Sequence, residues 1–128
     1  MMIKDYAQRL SKDGLAIFLF HGVIEKSNYA VRNYTKKHLE KDPFIELMRE
    51  LRARGHALTI DEVVEHHRTA TPFPPYAYVI TFDDGFENNH SVVAPILSDL
   101  KIPTVFYVTT DFVDRNQMSW IDRIEYCL

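Results

Sequence analysis

The chain has 128 residues, 46% of them hydrophobic and 26% charged, which suits one ordinary globular domain with a buried core. Its net charge of −3, with basic residues scattered among acids, speaks against a nucleic-acid-binding surface. One cysteine, Cys127, excludes an intrachain disulfide, and the longest apolar run, Leu15 to Phe20, is far short of the ~20 residues of a membrane span. Lys4, Asp5, Arg9, Lys12 and Asp13 break the charged-then-apolar order of a signal peptide. The expected location is therefore cytoplasmic, with no membrane partner.

Leu15-Ala-Ile-Phe-Leu-Phe20 has the unbroken apolar pattern of a strand covered on both faces. Residues 25–42 are polar and read as a long loop with room for a short helix. Pro43 opens a helix in which Phe44, Leu47, Met48 and Leu51 share one face, and Gly55 ends it. Thr59 and Glu62 form a capping box for a second helix reaching about Arg68. Pro72, Pro74 and Pro75 then make a stiff connector.

A strand is expected over Tyr76–Phe82, then a helix over Ser91–Leu100 that buries Val92, Val93, Ile96, Leu97 and Leu100. Pro95 inside that helix predicts a late start or a kink. Thr104–Thr109 is the next strand, with Phe106 and Tyr107 expected in the core. Ser119–Leu128 reads as a helix without a terminal cap. This alternation implies a parallel sheet of three or four strands with right-handed crossovers.

The feature richest in chemistry is Thr81-Phe82-Asp83-Asp84-Gly85. A buried strand ending in paired carboxylates brings charge to the rim of a sheet or barrel, where catalysis and metal binding usually occur. Adjacent strand residues point to opposite faces, so the two acids converge only if the strand ends there and the chain turns. Gly85 permits such a turn. An acidic turn without further role is the plain alternative, because Asp-Gly is a common turn dipeptide.

The stretch Ala77 to Asn89 resembles the first motif of the polysaccharide deacetylases, the NodB-homology or carbohydrate esterase family four enzymes. Phe18-Leu-Phe-His-Gly-Val23, Phe44–Ala57 with Leu58-Thr-Ile-Asp-Glu-Val63, and Ile102-Pro-Thr-Val-Phe-Tyr-Val108 agree with it in the family's order. The resemblance covers roughly residues 15–128. It implies an α/β fold of the glycoside hydrolase/deacetylase type: a partial distorted (β/α) barrel containing the first three to four βα units. Residues 1–128 would be the N-terminal part of that domain, its C-terminal part being absent.

By the same resemblance, the enzyme removes N-acetyl groups from an amino-sugar carbohydrate with one divalent metal, zinc first. Asp83 would be the general base and Asp84 a metal ligand. The family draws two further ligands from a His-x-x-x-His motif, and none occurs here; no histidine follows His90. The family's later arginine and late histidine are absent too. One aspartate falls short of the roughly three protein ligands of a catalytic zinc. The chain is thus expected to carry half a site and to hold metal weakly.

His21 matches a family histidine near the site's mouth; otherwise it is a hydrogen-bonded strand-end residue. Asn88 or Asn89 could orient Asp83 or bind sugar, or cap a helix. Trp120 could stack on a sugar ring or anchor the last helix. His90 belongs near the start of the helix after the motif, His66 and His67 to an outer helix, and His38 and His56 to the surface. Arg32-Asn-Tyr-Thr-Lys-Lys-His-Leu39 resembles a segment of some deacetylases, with no role assigned.

Two other readings stand beside the enzyme. One is a non-catalytic remnant that binds carbohydrate or protein. The other is magnesium chemistry on phosphoryl or glycosyl groups, which lacks a Gly-rich phosphate loop here. A strand deficit also predicts exposed apolar surface, to be covered by a second copy or by exchanged elements.

Overall fold

The computed structural model describes residues 6–26 and 33–127. A short 3-10 turn, Ala7–Arg9, precedes β1 (Leu15–Phe20), β2 (Gly22–Ile24) and β3 (His38–Glu40). Then come α1 (Lys41–Arg54), β4 (His56–Ala57), α2 (Ile60–Arg68) and β5 (Ala77–Phe82). A π-helical turn, Asn89–Val93, leads into α3 (Ala94–Leu100), followed by β6 (Thr104–Phe106), α4 (Thr110–Arg115) and α5 (Trp120–Cys127). Among these residues no helix is long and apolar enough to cross a membrane.

β5 is the organising strand. β1 pairs with it in parallel along its whole length, Leu15 opposite Ala77 and Phe20 opposite Phe82. On its other edge β4 pairs with Ala77 and Tyr78, and β6 with Ile80, Thr81 and Phe82. Every residue of β5 is buried, as its uninterrupted apolar run requires. The result is a four-stranded parallel sheet with helices between its strands, an open section of a (β/α) barrel.

Alternation along the strands separates two faces. Phe18, Phe20, Tyr78, Ile80 and Phe82 pack against Phe44, Leu47, Met48 and Leu51 of α1 and Leu97 of α3. Phe82 is the hub: its ring centroid lies 5.5 Å from Phe20, 6.0 Å from Phe44 and 5.5 Å from Phe106. Burial also pushes the Tyr78 phenol up to about 12. On the other face Ala77 and Val79 pack with Leu58, Leu15, Val63 and Phe73.

That second cover stops short of the rest of β1. Ile17 is 60% exposed and Leu19 is 52% exposed, so the expectation that both faces of this strand are covered is corrected for the described residues. Tyr107, expected in the core, is also exposed: it lies one residue past the end of β6, on the side opposite Phe106. The expected exposure of apolar surface is therefore present.

Residues 25–42 are not simply a loop. His38–Glu40 forms β3 and pairs in parallel with β2, a pairing too short to leave an alternation in the sequence. Arg32, at the head of the segment that resembles some deacetylases, lies outside the described residues, as does Leu128. α1 begins at Lys41, which places Pro43 in the first turn, where its missing N–H leaves no intrahelical acceptor unpaired. Thr59 and Glu62 make the capping box, and the hydrogen bonds from the Thr59 backbone and hydroxyl hold the Glu62 carboxyl below its usual range. The predicted kink at Pro95 takes the form of the π turn, where Ala94 N–H reaches back to Asn89 O.

Replacing Phe82 by alanine should cost about 3–5 kcal/mol of stability, since it empties the centre of this core. The exposed Val64→Ala change should stay within about 0.5 kcal/mol. Urea unfolding of both variants checks this, and a loss below about 1 kcal/mol for Phe82→Ala would contradict the packing described.

Candidate active site

The ladder does not stop at Phe82. Asp83 N–H donates to Phe20 O at 2.9 Å, and Tyr107 N–H donates to Phe82 O at 2.8 Å. Continuing the register by one step sets His21 and Tyr107 on either side of Asp83, all beyond the C-terminal edge of the sheet. Strand alternation then gives Asp83 the face of Val79 and Thr81, away from the helix-covered core.

At Asp84 the chain turns. Asp84 has φ 70° and Gly85 has φ 71°, two consecutive left-handed residues. Left-handed backbone costs a non-glycine residue about 1–2 kcal/mol, least for Asp and Asn, so the surrounding contacts must hold it. At Gly85 a Cβ would lie 3.0 Å from Val108 Cγ1, which with the positive φ restricts the position to glycine. The turn puts Asp84 on the wall between two clefts. One, of about 640 Å³, is lined by Asp84, His38, Glu87, Phe112, Asp122 and Glu125 among others. The other, of about 400 Å³, brings Asp84 together with His21, Lys37, Asp111, Trp120 and Arg123. Half-buried Asp83 lines neither cleft.

His21 and Trp120 thus share a cleft with Asp84, and Trp120 is 70% exposed rather than packed as an anchor. Asn88 makes no side-chain cap for the helical segment, and its Oδ1 is buried without a partner. Asn89 is buried with both side-chain atoms unpartnered, so capping accounts for neither asparagine. His90 is exposed. The His66 ring lies tilted against Phe73, centroids 5.2 Å apart, and His56 Nδ1 lies 2.8 Å from Pro75 O, both away from the acidic turn.

His38 is the clearest correction. Expected on the surface, it is only 8% exposed. The β2–β3 pairing draws it inward, and Gly22 makes room: a Cβ there would collide with His38 Nδ1 and Asn88 Oδ1. Its ring meets the edge of Phe86 at 4.8 Å and 78°, and its Nδ1 has no partner. Asn33 brackets its backbone, Nδ2 donating to His38 O at 2.9 Å and Oδ1 accepting from His38 N–H at 3.1 Å.

Next to it, Lys37 pairs with Asp122 and lies 4.9 Å from the Phe86 ring centroid. Burial pushes the Asp122 carboxyl up, but hydrogen bonds from Lys37 and Ser119 outweigh that and hold it below its usual range. Glu125, 4% exposed, accepts from Thr35 N–H at 2.9 Å and from Thr35 Oγ1 at 2.8 Å. No local pattern of residues marks Thr35, Lys37, Asp122 or Glu125 for such a place. The one signal is the likeness of the Arg32–Leu39 segment to some deacetylases.

Among the described residues no three His, Cys, Asp or Glu side chains converge where a metal ion could sit. Asp84 and His21, though in one cleft, do not fit a tightly held divalent metal by themselves.

Parallel strands with helices between them place this chain among (β/α) barrels, and its acidic turn lies at the C-terminal strand edge, where such barrels usually carry their sites. The model of the polysaccharide deacetylase family matches residues 70–125, the segment containing Asp83 and Asp84. The poly-β-1,6-N-acetyl-D-glucosamine N-deacetylases of Escherichia coli K12 and O157:H7 are each 37% identical over 65 residues, 50% of this chain and 10% of theirs. Among solved structures, a de-N-acetylase from Aggregatibacter actinomycetemcomitans superposes with a TM-score of 0.70 at 21% identity, over 82% of this chain and 42% of that one. IcaB from Ammonifex degensii gives 0.61 at 24% identity, over 77% and 40%. The chain therefore has the deacetylase barrel fold and spans about a tenth of the length of the curated relatives it matches.

The burial of His38 has a consequence for pH. Burial first and Lys37 second hold its imidazole below the ordinary 6.5, while Asp122 and Glu125 pull it up and His21 pushes it down. The unfolded chain therefore binds the proton more readily than the folded one. Stability from this group is fully present above pH 6.5 and is lost as pH falls towards the folded value. His38→Gln should flatten that part of the stability–pH curve, measured by urea unfolding between about pH 5 and 7.5. An unchanged slope would contradict the neutral buried imidazole.

Proposed function

We propose that this chain supplies the aspartate half of the active site of a polysaccharide N-deacetylase. The substrate class is an N-acetylated amino-sugar glycan, such as the poly-β-1,6-N-acetyl-D-glucosamine named for the similar Escherichia coli enzymes. The observation that carries this reading is Asp84, held in left-handed backbone at the sheet's C-terminal edge between two clefts. The family match across the same residues supports it.

The reaction is amide hydrolysis. Water adds to the acetyl carbonyl, the C–N bond breaks, acetate leaves, and the sugar nitrogen takes a proton to become an amine. Asp83 is the general base for the attacking water; a positioned carboxylate of this kind typically contributes about 10²- to 10⁴-fold. Asp84 is one ligand of a divalent metal, zinc first, in the complete protein. The remaining ligands come from residues other than those described here, because no three-ligand group occurs among them. Trp120, exposed in the cleft shared with Asp84 and His21, offers a face for a sugar ring.

A second reading, a non-catalytic carbohydrate- or protein-binding remnant, is favoured by that same missing ligand set. Acetate release from N-acetylated β-1,6-glucosamine oligomers separates the two. The complete gene product should release acetate and the 128-residue chain little or none. In the complete product Asp83→Asn should lower kcat roughly 100-fold or more and spare metal content. Asp84→Asn should lower both. Robust acetate release and stoichiometric tight metal from the 128-residue chain would overturn the claim of a half-site.

Exposed Ile17 and Leu19 on the sheet, together with Ile124 and Tyr126 on α5, support a further part of this reading. In solution this apolar surface is covered, by a second copy or by further elements of the barrel. Light scattering of the 128-residue chain should show self-association, and a well-behaved monomer would contradict it.

A further inference from the structure

The Arg32–Leu39 segment has no place in the chemistry proposed above, yet two of its residues grip the acidic turn. Phe86 follows Gly85 directly, so its ring is the first side-chain anchor after the two left-handed residues. His38 meets this ring edge-on at 4.8 Å, and Lys37 Nζ lies 4.9 Å from its centroid. Lys37 is itself fixed, pairing with Asp122, whose other oxygen accepts from Ser119 Oγ at 2.6 Å while its backbone N–H donates to Ser119 Oγ at 3.1 Å. The Lys37 side chain is 13% exposed, so the ammonium is largely withdrawn from water. A partly desolvated cation gains more from a ring face than an exposed one.

We infer that Lys37 is a positioning residue for Asp84: it clamps Phe86 against His38 and so holds the strained Asp84-Gly85 turn in the conformation that presents the Asp84 carboxylate to the clefts. The geometry explains why the left-handed Asp84 persists. Its backbone is over-determined on one side by the β5 ladder, through Asp83 N–H to Phe20 O, and on the other by the gripped ring. It also explains why the ion pair with Asp122 spans from the β3 segment to α5, since that link keeps the cation over Phe86. Lys37 acts through Phe86 and is not itself a group of the proposed reaction.

The inference rests on the reading of Asp84 as a site residue, and two measurements keep the clamp and that reading apart. The first is nuclear magnetic resonance of the 128-residue chain, where a left-handed Asp84 gives a strong intraresidue amide–Hα contact. Lys37→Met and Phe86→Leu should weaken that contact and shift the Asp84 and Gly85 signals, whereas Lys37→Arg, which keeps a cation over the ring, should restore them. The second is acetate release by the complete gene product carrying the same substitutions. Lys37→Met should lower kcat roughly three- to tenfold with KM unmoved, with recovery in Lys37→Arg. Unchanged Asp84 signals in both Lys37→Met and Phe86→Leu would overturn the clamp, as would Lys37→Arg behaving like Lys37→Met. If Lys37→Met does not fold, the same signals in Phe86→Leu decide whether the clamp stands. A complete gene product without activity would sink the enzymatic reading, while the Asp84 signals would still decide the clamp.

Discussion

β5 is hydrogen-bonded along both edges and buried on both faces, so its backbone has no freedom and its side chains no water until Phe82 is passed. An ionised group cannot be set into such a strand without large desolvation cost. The first position where charge can emerge is its C-terminal end, and there the chain carries Asp83 and Asp84. The neighbouring strands finish at nearly the same level, Phe20 opposite Phe82 and Phe106 opposite Phe82. Their following residues, His21 and Tyr107, therefore arrive beside Asp83 by register alone. The site is in this sense a consequence of how the sheet ends.

Strain is the second element. A strand that simply continued would send Asp83 and Asp84 to opposite faces. The left-handed pair at Asp84 and Gly85 breaks that alternation and turns Asp84 toward the clefts. The turn is costly for an aspartate, and the structure surrounds it with fixed groups: Val108 against Gly85, and Phe86 between His38 and Lys37. Conformational strain of this kind clusters at functional sites, and in the proposed site these contacts would work together with the carboxylates.

The strands Leu15–Phe20 and Ala77–Phe82, the apolar face of α1 and the capping box of α2 are legible from the residues, because each writes a local periodicity or a fixed spacing. The Asp-Asp-Gly turn is legible for the same reason: an apolar run, two acids and a glycine. His38 is not. A histidine in a polar stretch reads as surface, and only the pairing of two three-residue strands well separated in sequence buries it. Thr35, Lys37, Asp122 and Glu125 leave no local mark because their partners lie 85 and 90 residues away, beyond any periodicity. The exposure of Ile17 and Leu19 is opposite in kind. Their apolar character states that they are to be covered, and the chain's own described residues do not cover them.

The proposed function requires Asp84 to belong to a metal-dependent site of which these residues provide only part. Anomalous diffraction from crystals of the complete gene product soaked in zinc tests it most directly. The account predicts one strong peak about 2.0–2.2 Å from an Asp84 carboxylate oxygen, with further ligands outside residues 6–26 and 33–127. A zinc peak held by ligands that exclude Asp84, or by three ligands all drawn from within those residues, would contradict it.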